Sequence, residues 1–310
     1  MGDLTGIRMK AAHLFPGQAS QYVGMGKDLA EQWPVAKEMF SVANDIMGAD
    51  LAGICFQGPE DVLKQTQYTQ PAIFVHSVVV SAIIDTMPQA AAGHSLGEYS
   101  ALVAAGAMTF EDGLRLVKKR GELMQESGTR SPGTMAAVIG AEVDLVESAC
   151  TEAADAGIVQ PANFNSPGQI VISGSIPGVD RAIELLKAKG VRLVKKLPVS
   201  GAFHSPLMQY AQDEMGAVLA ETSIRDASFP VYTNVTAEPV VDAATIREML
   251  FRQITSPVRW EASMRNMVRD GVTLFREVGP GNVLQGLLKR ITPDAPCTTL
   301  GTAAEIDSRA

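Results

Sequence analysis

Residues 89–106 read QAAAGHSLGEYSALVAAG, and the fold is decided by how this stretch is read. Ser95 stands between Gly93 and Gly97 in a G-x-S-x-G arrangement, after a run of small residues and before a helix-like segment. That is the order of strand, sharp turn and helix that a nucleophile elbow requires. A serine at such a turn projects its hydroxyl into a cleft, and the flanking glycines let the backbone bend and neighbouring segments approach. The first N–H groups of the following helix point at the reaction centre, where the positive end of the helix dipole favours an oxyanion. Short G-x-S-x-G strings also occur in Gly/Ser loops, so the motif needs that structural context.

The composition supplies a frame for the elbow. A chain of 310 residues has room for one large α/β domain or two ordinary ones, and 46% hydrophobic with 19% charged residues is a globular balance. Cys55, Cys150 and Cys297 lie far apart with no ligand-like spacing, which suggests neither a disulfide framework nor a zinc site and fits a reducing cytoplasm. The apolar run over residues 71–87 is interrupted by His76, Ser77, Ser81 and Asp85 and falls short of a membrane span. The opening MGDLTGIRMK has no secretory h-region, so a soluble protein is expected. A net charge of −8 argues against general affinity for nucleic acid or anionic membrane.

Taken in order, residues 10–15 read as a strand running into the polar loop PGQASQ, and residues 24–47 as helix. The run opened by Gln70-Pro71 fits a buried helix with proline at its start. Residues 109–125 form an amphipathic helix with acids in its first turn; Lys119 points away from its apolar stripe and Arg120 lies on the flank. An arginine there ordinarily covers the edge of a core with its stem. After Ser131-Pro132-Gly133 the pattern becomes strand 134–140, helix 143–154, strands 157–163 and 169–174, helix 177–189 and strand 191–199. That βαββαβ order is the ferredoxin-like unit. The expectation is therefore a large α/β-hydrolase-like domain with a parallel sheet core, residues 1–131 and 200–310, with a small ferredoxin-like domain, residues 132–199, inserted into it. Strands at 229–235 and 273–277, helices at 245–253 and 261–270, and a last helix opened by GPGN and ending at residue 289 complete the large domain. The tail after Gly301 is expected to fray.

A serine nucleophile needs a base within hydrogen-bond reach. Of the four histidines, His13 and His76 fall in apolar elements, and His94 sits beside Ser95, where adjacent elbow residues diverge, so it reads as a lining residue. His204, in VSGAFHSP at the return to the large domain, remains. Asp112, Asp144 and Asp180 each sit at a predicted helix start, where capping accounts for them, so no triad acid stands out.

Six stretches in order, FPGQASQ, GHSLGEYSALVAAG, VKKRGELMQ, PANFNSPGQIVISG, VSGAFHSPLM and RQITSPVRW, resemble the bacterial malonyl-CoA:acyl carrier protein transacylases over nearly the whole chain. The resemblance implies Ser95 as nucleophile, His204 as base, and Gln253 in place of a triad acid, orienting the imidazole through a neutral oxygen. It also implies an oxyanion hole from the N–H groups of Gln18 and Leu96, and Arg120 as clamp for the malonyl carboxylate. Phe203 resembles the bulky residue of malonyl-selective relatives. The substrates implied are malonyl-CoA and acyl carrier protein, which brings its own phosphopantetheine, with no bound cofactor and no metal; a cytoplasmic monomer serving fatty acid synthesis is expected. In the first loop Ala19 stands where the family has the middle glycine of GQGSQ, so strain is expected there if that position needs positive φ. An acidic enzyme meeting an acidic carrier needs a local basic surface, expected at Lys187, Lys189, Arg192, Lys195 and Lys196, with Lys118 and Lys119 nearby.

Three readings compete with this one: a trans-acting malonyltransferase of polyketide synthesis, a serine thioesterase or hydrolase using the same elbow, and a catalytically silent carrier-binding module. Arg120 separates the transferase from a hydrolase for neutral acyl groups, which has no use for a guanidinium beside its nucleophile.

Overall fold

The computed structural model describes residues 10–199 and 201–308. The ends of the expected large domain (residues 1–9, 309 and 310), most of the opening MGDLTGIRMK, and Ser200 lie outside them. Among the described residues are ten strands: β1 (Ala11–Phe15), β2 (Ala90–Gly93), β3 (Gly133–Ile139), β4 (Val159–Ser166), β5 (Gln169–Ser175), β6 (Leu193–Lys196), β7 (Val231–Tyr232), β8 (Pro239–Val240), β9 (Leu274–Val278) and β10 (Cys297–Leu300). They form two sheets.

The first sheet has the order β10-β9-β1-β2-β7-β8 and is parallel except for the β7–β8 hairpin. Its central strands are covered on both faces. On β1, Phe15 packs into one apolar cluster and Ala12 and Leu14 into another; on β2, Ala91 joins the first and Ala90 and Ala92 the second. Two-sided burial explains a strand as small as AAAG, since helices press on it from either side. β1 is flanked by β2 on one side and by β9, late in the chain, on the other. The strand order thus reverses beside the carboxyl ends of β1 and β2, where α/β sheets open a binding crevice. Phe15 pairs with Gly93 at that end, and the His94 N–H donates to Phe15 O at 2.9 Å, which sets the elbow beside the PGQASQ loop.

The second sheet is antiparallel, in the order β4-β5-β3-β6. Helices Val143–Glu152 and Ile176–Ala188 cover one face, burying a separate cluster that includes Val138, Val146, Ile172 and Leu186. The opposite face, with Met135, Ala137, Val171 and Leu197, borders the crevice.

Several elements differ from expectation. The helix expected over residues 24–47 is two, Lys27–Gln32 and Pro34–Met47, because Trp33 before Pro34 is held extended at ψ 121°. Helix Thr66–Ile83 begins five residues before Pro71, so the proline lies inside it. Its polar first turn is anchored from outside, by Thr69 Oγ1 donating to Leu63 O at 2.5 Å and Gln125 Oε1 accepting from the Gln67 N–H at 3.2 Å. Helix Phe110–Arg130 runs five residues past the expected end. The strand expected over residues 229–235 shrinks to Val231–Tyr232, because Asn234 turns its side chain to the elbow and the backbone reverses at Ala237, φ 61°. Through Ser308 the tail after Gly301 does not fray: helix Ala303–Asp307 carries a Thr302/Glu305 capping box. Glu305 also accepts from the Gly301 N–H, and Asp28 from the Ala303 N–H. No helix among the described residues is long and apolar enough to cross a membrane.

Candidate active site

The elbow's glycines are dictated by contact. A Cβ on Gly93 would run into the backbone of Gly97, and one on Gly97 into the carbonyl of Phe15. Ser95 between them is held at φ 53°, a left-handed conformation that costs a non-glycine residue about 1–3 kcal/mol. The surroundings hold it there: Asn234 Oδ1 accepts from the Ser95 N–H at 2.7 Å while Asn234 Nδ2 donates to Gly93 O at 2.7 Å.

His204, also left-handed at φ 56°, places Nε2 2.8 Å from Ser95 Oγ. Its Nδ1 lies 2.9 Å from the main-chain carbonyl of Gln253. A carbonyl only accepts, so Nδ1 carries the proton and Nε2 is left to accept from the serine hydroxyl. Burial, with the Arg120 charge second, pushes the imidazole down to about 3, so the ring is neutral at physiological pH. The neutral oxygen at the ring is thus the backbone of Gln253. Its side chain has other partners: Oε1 accepts from Arg120 at 3.0 Å, and Nε2 donates to Ser95 O at 3.0 Å and to Glu98 Oε2 at 2.9 Å.

Arg120 is 0% exposed, so the sequence-level picture of a side chain covering the core's edge gives way to complete burial. Its helix starts at a Thr109 cap and packs against Thr66–Ile83, carrying the guanidinium to the serine. One Nη reaches Gln70 Oε1 at 2.7 Å; the other reaches Ser95 Oγ and Gln253 Oε1, each at 3.0 Å. All three acceptors are neutral, Nε has no partner, and among the described residues no carboxylate forms an ion pair with Arg120. A buried cation that no carboxylate touches costs several kcal/mol. Such a site is built to receive an anion beside the nucleophile.

These groups line one cavity of about 280 Å³ between the two sheets. Gln18 and Leu96 border it, and neither main-chain N–H donates to a group among the described residues, which leaves both available to an oxyanion. Ala19 does adopt positive φ, 85°, so the loop that presents Gln18 carries the strain expected of alanine in a glycine's conformation. Phe203 borders the cavity next to His204. His94 also faces it, but its Nε2 contacts Asn165 Oδ1 at 2.8 Å and its ring packs on Trp260, away from Ser95 Oγ. The outer walls are apolar: Met135, Ala137 and Val171 on one side, and Val283, Leu284 and Leu287 of helix Val283–Ile291 on the other.

Sequence reasoning passed over Gln70, Glu98, Asn165 and Asn234. Gln70 opens an apolar run, Glu98 and Asn165 lie inside the stretches GHSLGEYSALVAAG and PANFNSPGQIVISG, and Asn234 lies in an expected strand, with nothing local to mark any of them as a site residue. Of the basic residues, Lys189 pairs with Glu152 and Lys196 with Asp180, whereas Lys195 sits opposite Ala137 on the crevice face and has no ion pair among the described residues. Lys118 and Lys119 border a separate surface depression. No group of three or more His, Cys, Asp or Glu able to hold a metal occurs among the described residues.

The family model described as an acyl transferase domain matches residues 12–304. A malonyl CoA-acyl carrier protein transacylase from Bacillus subtilis is 44% identical over 91% of this chain and 90% of its own length. The crystal structure of an acyl carrier protein S-malonyltransferase from Vibrio cholerae superposes with a TM-score of 0.94 at 42% identity, covering 97% of this chain and all of that one. A malonyl-transacylase solved in complex with a type II polyketide-synthase acyl carrier protein gives 0.93 at 40% identity, covering 96% of this chain and 98% of that one.

Proposed function

The chain belongs to the acyl transferase family, and from that premise we propose that it moves a malonyl group from malonyl-CoA to the phosphopantetheine thiol of acyl carrier protein, through an ester on Ser95, for fatty acid synthesis. The observation that carries the reading is the buried, ion-pair-free guanidinium of Arg120, 3.0 Å from the Ser95 hydroxyl. His204 Nε2 takes the serine proton as Oγ attacks the thioester carbonyl, and the Nδ1 bond to Gln253 O keeps the imidazole in the required tautomer. The oxyanion is met by the N–H groups of Gln18 and Leu96. The C–S bond breaks, the coenzyme A thiolate receives the proton from His204, and a malonyl-serine ester remains. The carrier's thiol then enters, gives its proton to His204 and reverses the steps, which predicts ping-pong kinetics.

Arg120 supplies selectivity. Its planar fork can bind both oxygens of the malonyl carboxylate, and an acetyl group would leave the cation buried and unpaired. Phe203 crowds the position an α-methyl branch would take, and His94 shapes the wall behind Ser95. We assign residues 1–131 and 200–310 to a hydrolase-like catalytic domain and residues 132–199 to a ferredoxin-like insertion. The β4-β5-β3-β6 order and the separate apolar cluster support that assignment. Three free cysteines support a cytoplasmic setting. Lys195, on the crevice face, and Arg290, whose Nη donates to the cavity-lining Gln169 at 2.8 Å, are the cations proposed to meet the carrier.

A second use, supplying malonyl groups to polyketide carriers, is favoured by the relative solved with such a carrier. The test is transfer of radiolabelled malonyl from coenzyme A to holo carrier proteins of both pathways, with free malonate followed in parallel. Label on the fatty-acid carrier supports the proposal. Release of malonate without carrier labelling identifies a hydrolase and overturns it.

A further inference from the structure

Glu98 is a buried carboxylate that none of these steps uses. It lies three residues after Ser95 in helix Gly97–Ala104 and is 1% exposed. Its Oε2 accepts from the Asn234 N–H at 2.8 Å and from Gln253 Nε2 at 2.9 Å. Both partners act on the nucleophile's turn: Asn234 holds the Ser95 N–H and the Gly93 carbonyl, and Gln253 holds the Ser95 carbonyl. The consequence for Gln253 follows from its amide. Ser95 O and Glu98 Oε2 both demand a donor, so the NH₂ end must face them, and Oε1 is left to face Arg120. With an apolar side chain at position 98 only one acceptor would hold the NH₂ end. The amide could then turn its donor toward the guanidinium and push it off the position it holds beside Ser95.

Building on the assignment of Arg120 as carboxylate clamp, we propose that Glu98 is a positioning residue for acyl-group selection: it fixes the Gln253 amide that aims Arg120, and its charge is the one that an incoming acyl carboxylate must share the guanidinium with. Glu98 does not touch the guanidinium; Gln253 stands between them. The charged and titratable groups around it are Arg120 from helix Phe110–Arg130, Tyr99 on its own helix and, past Gln253, His204; Asn234 and Gln253 are neutral. Burial outweighs the hydrogen bonds and the Arg120 charge and pushes Glu98 up to about 7. A malonyl carboxylate arriving at Arg120 adds a second negative charge, which favours the protonated form of Glu98. Loading of malonyl, but not of acetyl, is therefore linked to uptake of a proton near neutral pH.

The experiment compares full-length wild type, Glu98→Gln and Glu98→Met for acylation of Ser95 by malonyl-CoA and by acetyl-CoA from pH 6 to 9. Acetyl-CoA controls for titration of the coenzyme phosphates. Glu98→Gln keeps an oxygen for both hydrogen bonds and removes the charge. In wild type the KM for malonyl-CoA should climb by up to about tenfold per pH unit above 7, while that for acetyl-CoA stays flat. In Glu98→Gln the malonyl-specific climb should vanish. Glu98→Met should lower the malonyl-to-acetyl ratio of kcat/KM by about tenfold or more, as a misdirected clamp requires. A malonyl-specific climb that survives in Glu98→Gln, or a ratio unchanged in a folded Glu98→Met, overturns the inference. If wild type forms no malonyl adduct on Ser95, it is the functional assignment that fails, a result distinct from either.

Discussion

Replacing Arg120 with methionine removes the cation while keeping most of the buried volume, and the structure gives the size of the effect. Of the two Nη groups one stands 3.0 Å from Ser95 Oγ and the other 2.7 Å from Gln70 Oε1, and a bidentate clamp turns both to the two oxygens of a malonyl carboxylate. Hydrogen bonds to charged groups are worth about 1.5–3 kcal/mol each. Losing two costs about 3–6 kcal/mol of transition-state stabilisation, or about 10²–10⁴ in kcat/KM for malonyl-CoA at about 1.4 kcal/mol per decade. Acetyl-CoA makes neither bond, and in the variant it no longer has to cover an unpaired cation, so its kcat/KM should hold or rise. Folding should survive. The orphaned Gln70 and Gln253 carbonyl oxygens cost about 1–3 kcal/mol each, against which stands relief of the desolvated charge. The assay is Ser95 acylation by each thioester under single-turnover conditions, with a melting curve as control. Equal losses for malonyl and acetyl in a folded variant would show that Arg120 organises the serine and does not read the carboxylate.

Three other perturbations follow from the same geometry. Ala19→Gly relieves a left-handed conformation worth about 1–2 kcal/mol, offset by about 0.5–1 kcal/mol of unfolded-state entropy, so the midpoint of thermal unfolding should rise by a degree or two; a fall would mean the loop is unstrained. His76, pushed down to about 4 by burial, binds its proton more weakly folded than unfolded, so its contribution to stability is lost as pH falls from about 6.5 to 4. His76→Leu should flatten that loss by about 3 kcal/mol at most. Glu98 and Glu277, pushed up to about 7, work in the opposite sense between about 4.5 and 7, so the difference between variant and parent in melting-point profiles is the readout. Lys195→Glu should raise the KM for carrier protein and leave malonyl loading from coenzyme A unaltered; an unchanged carrier KM removes Lys195 from the docking surface.

The elbow was legible because its demands are local: two close backbone approaches and one cleft-facing serine are written into five consecutive residues. The second sheet was legible for a similar reason, since each strand and helix announced its own period between residues 131 and 199. The partners of the elbow were not. Asn234 follows Ser95 by 139 residues and nothing in its own neighbourhood marks it, while Gln253, 158 residues on, is reached only through the resemblance carried by RQITSPVRW. Glu98 sits where any helix would accept an acid, so its burial could not be seen. Arg120 lay on the flank of an amphipathic helix, and only the packing of that helix against Thr66–Ile83 turns it inward. The described part of the tail was misjudged because it follows directly on a paired strand and is held by Asp28, far off in the chain.

The account stands most directly on one measurement: intact mass of the protein after incubation with malonyl-CoA, for wild type and Ser95→Ala, followed by addition of holo carrier. It predicts a gain of one malonyl group on wild type, none on Ser95→Ala, and return to the starting mass as the carrier is acylated. A malonyl adduct that persists in Ser95→Ala, or one that leaves only as free malonate in the presence of carrier, would contradict it.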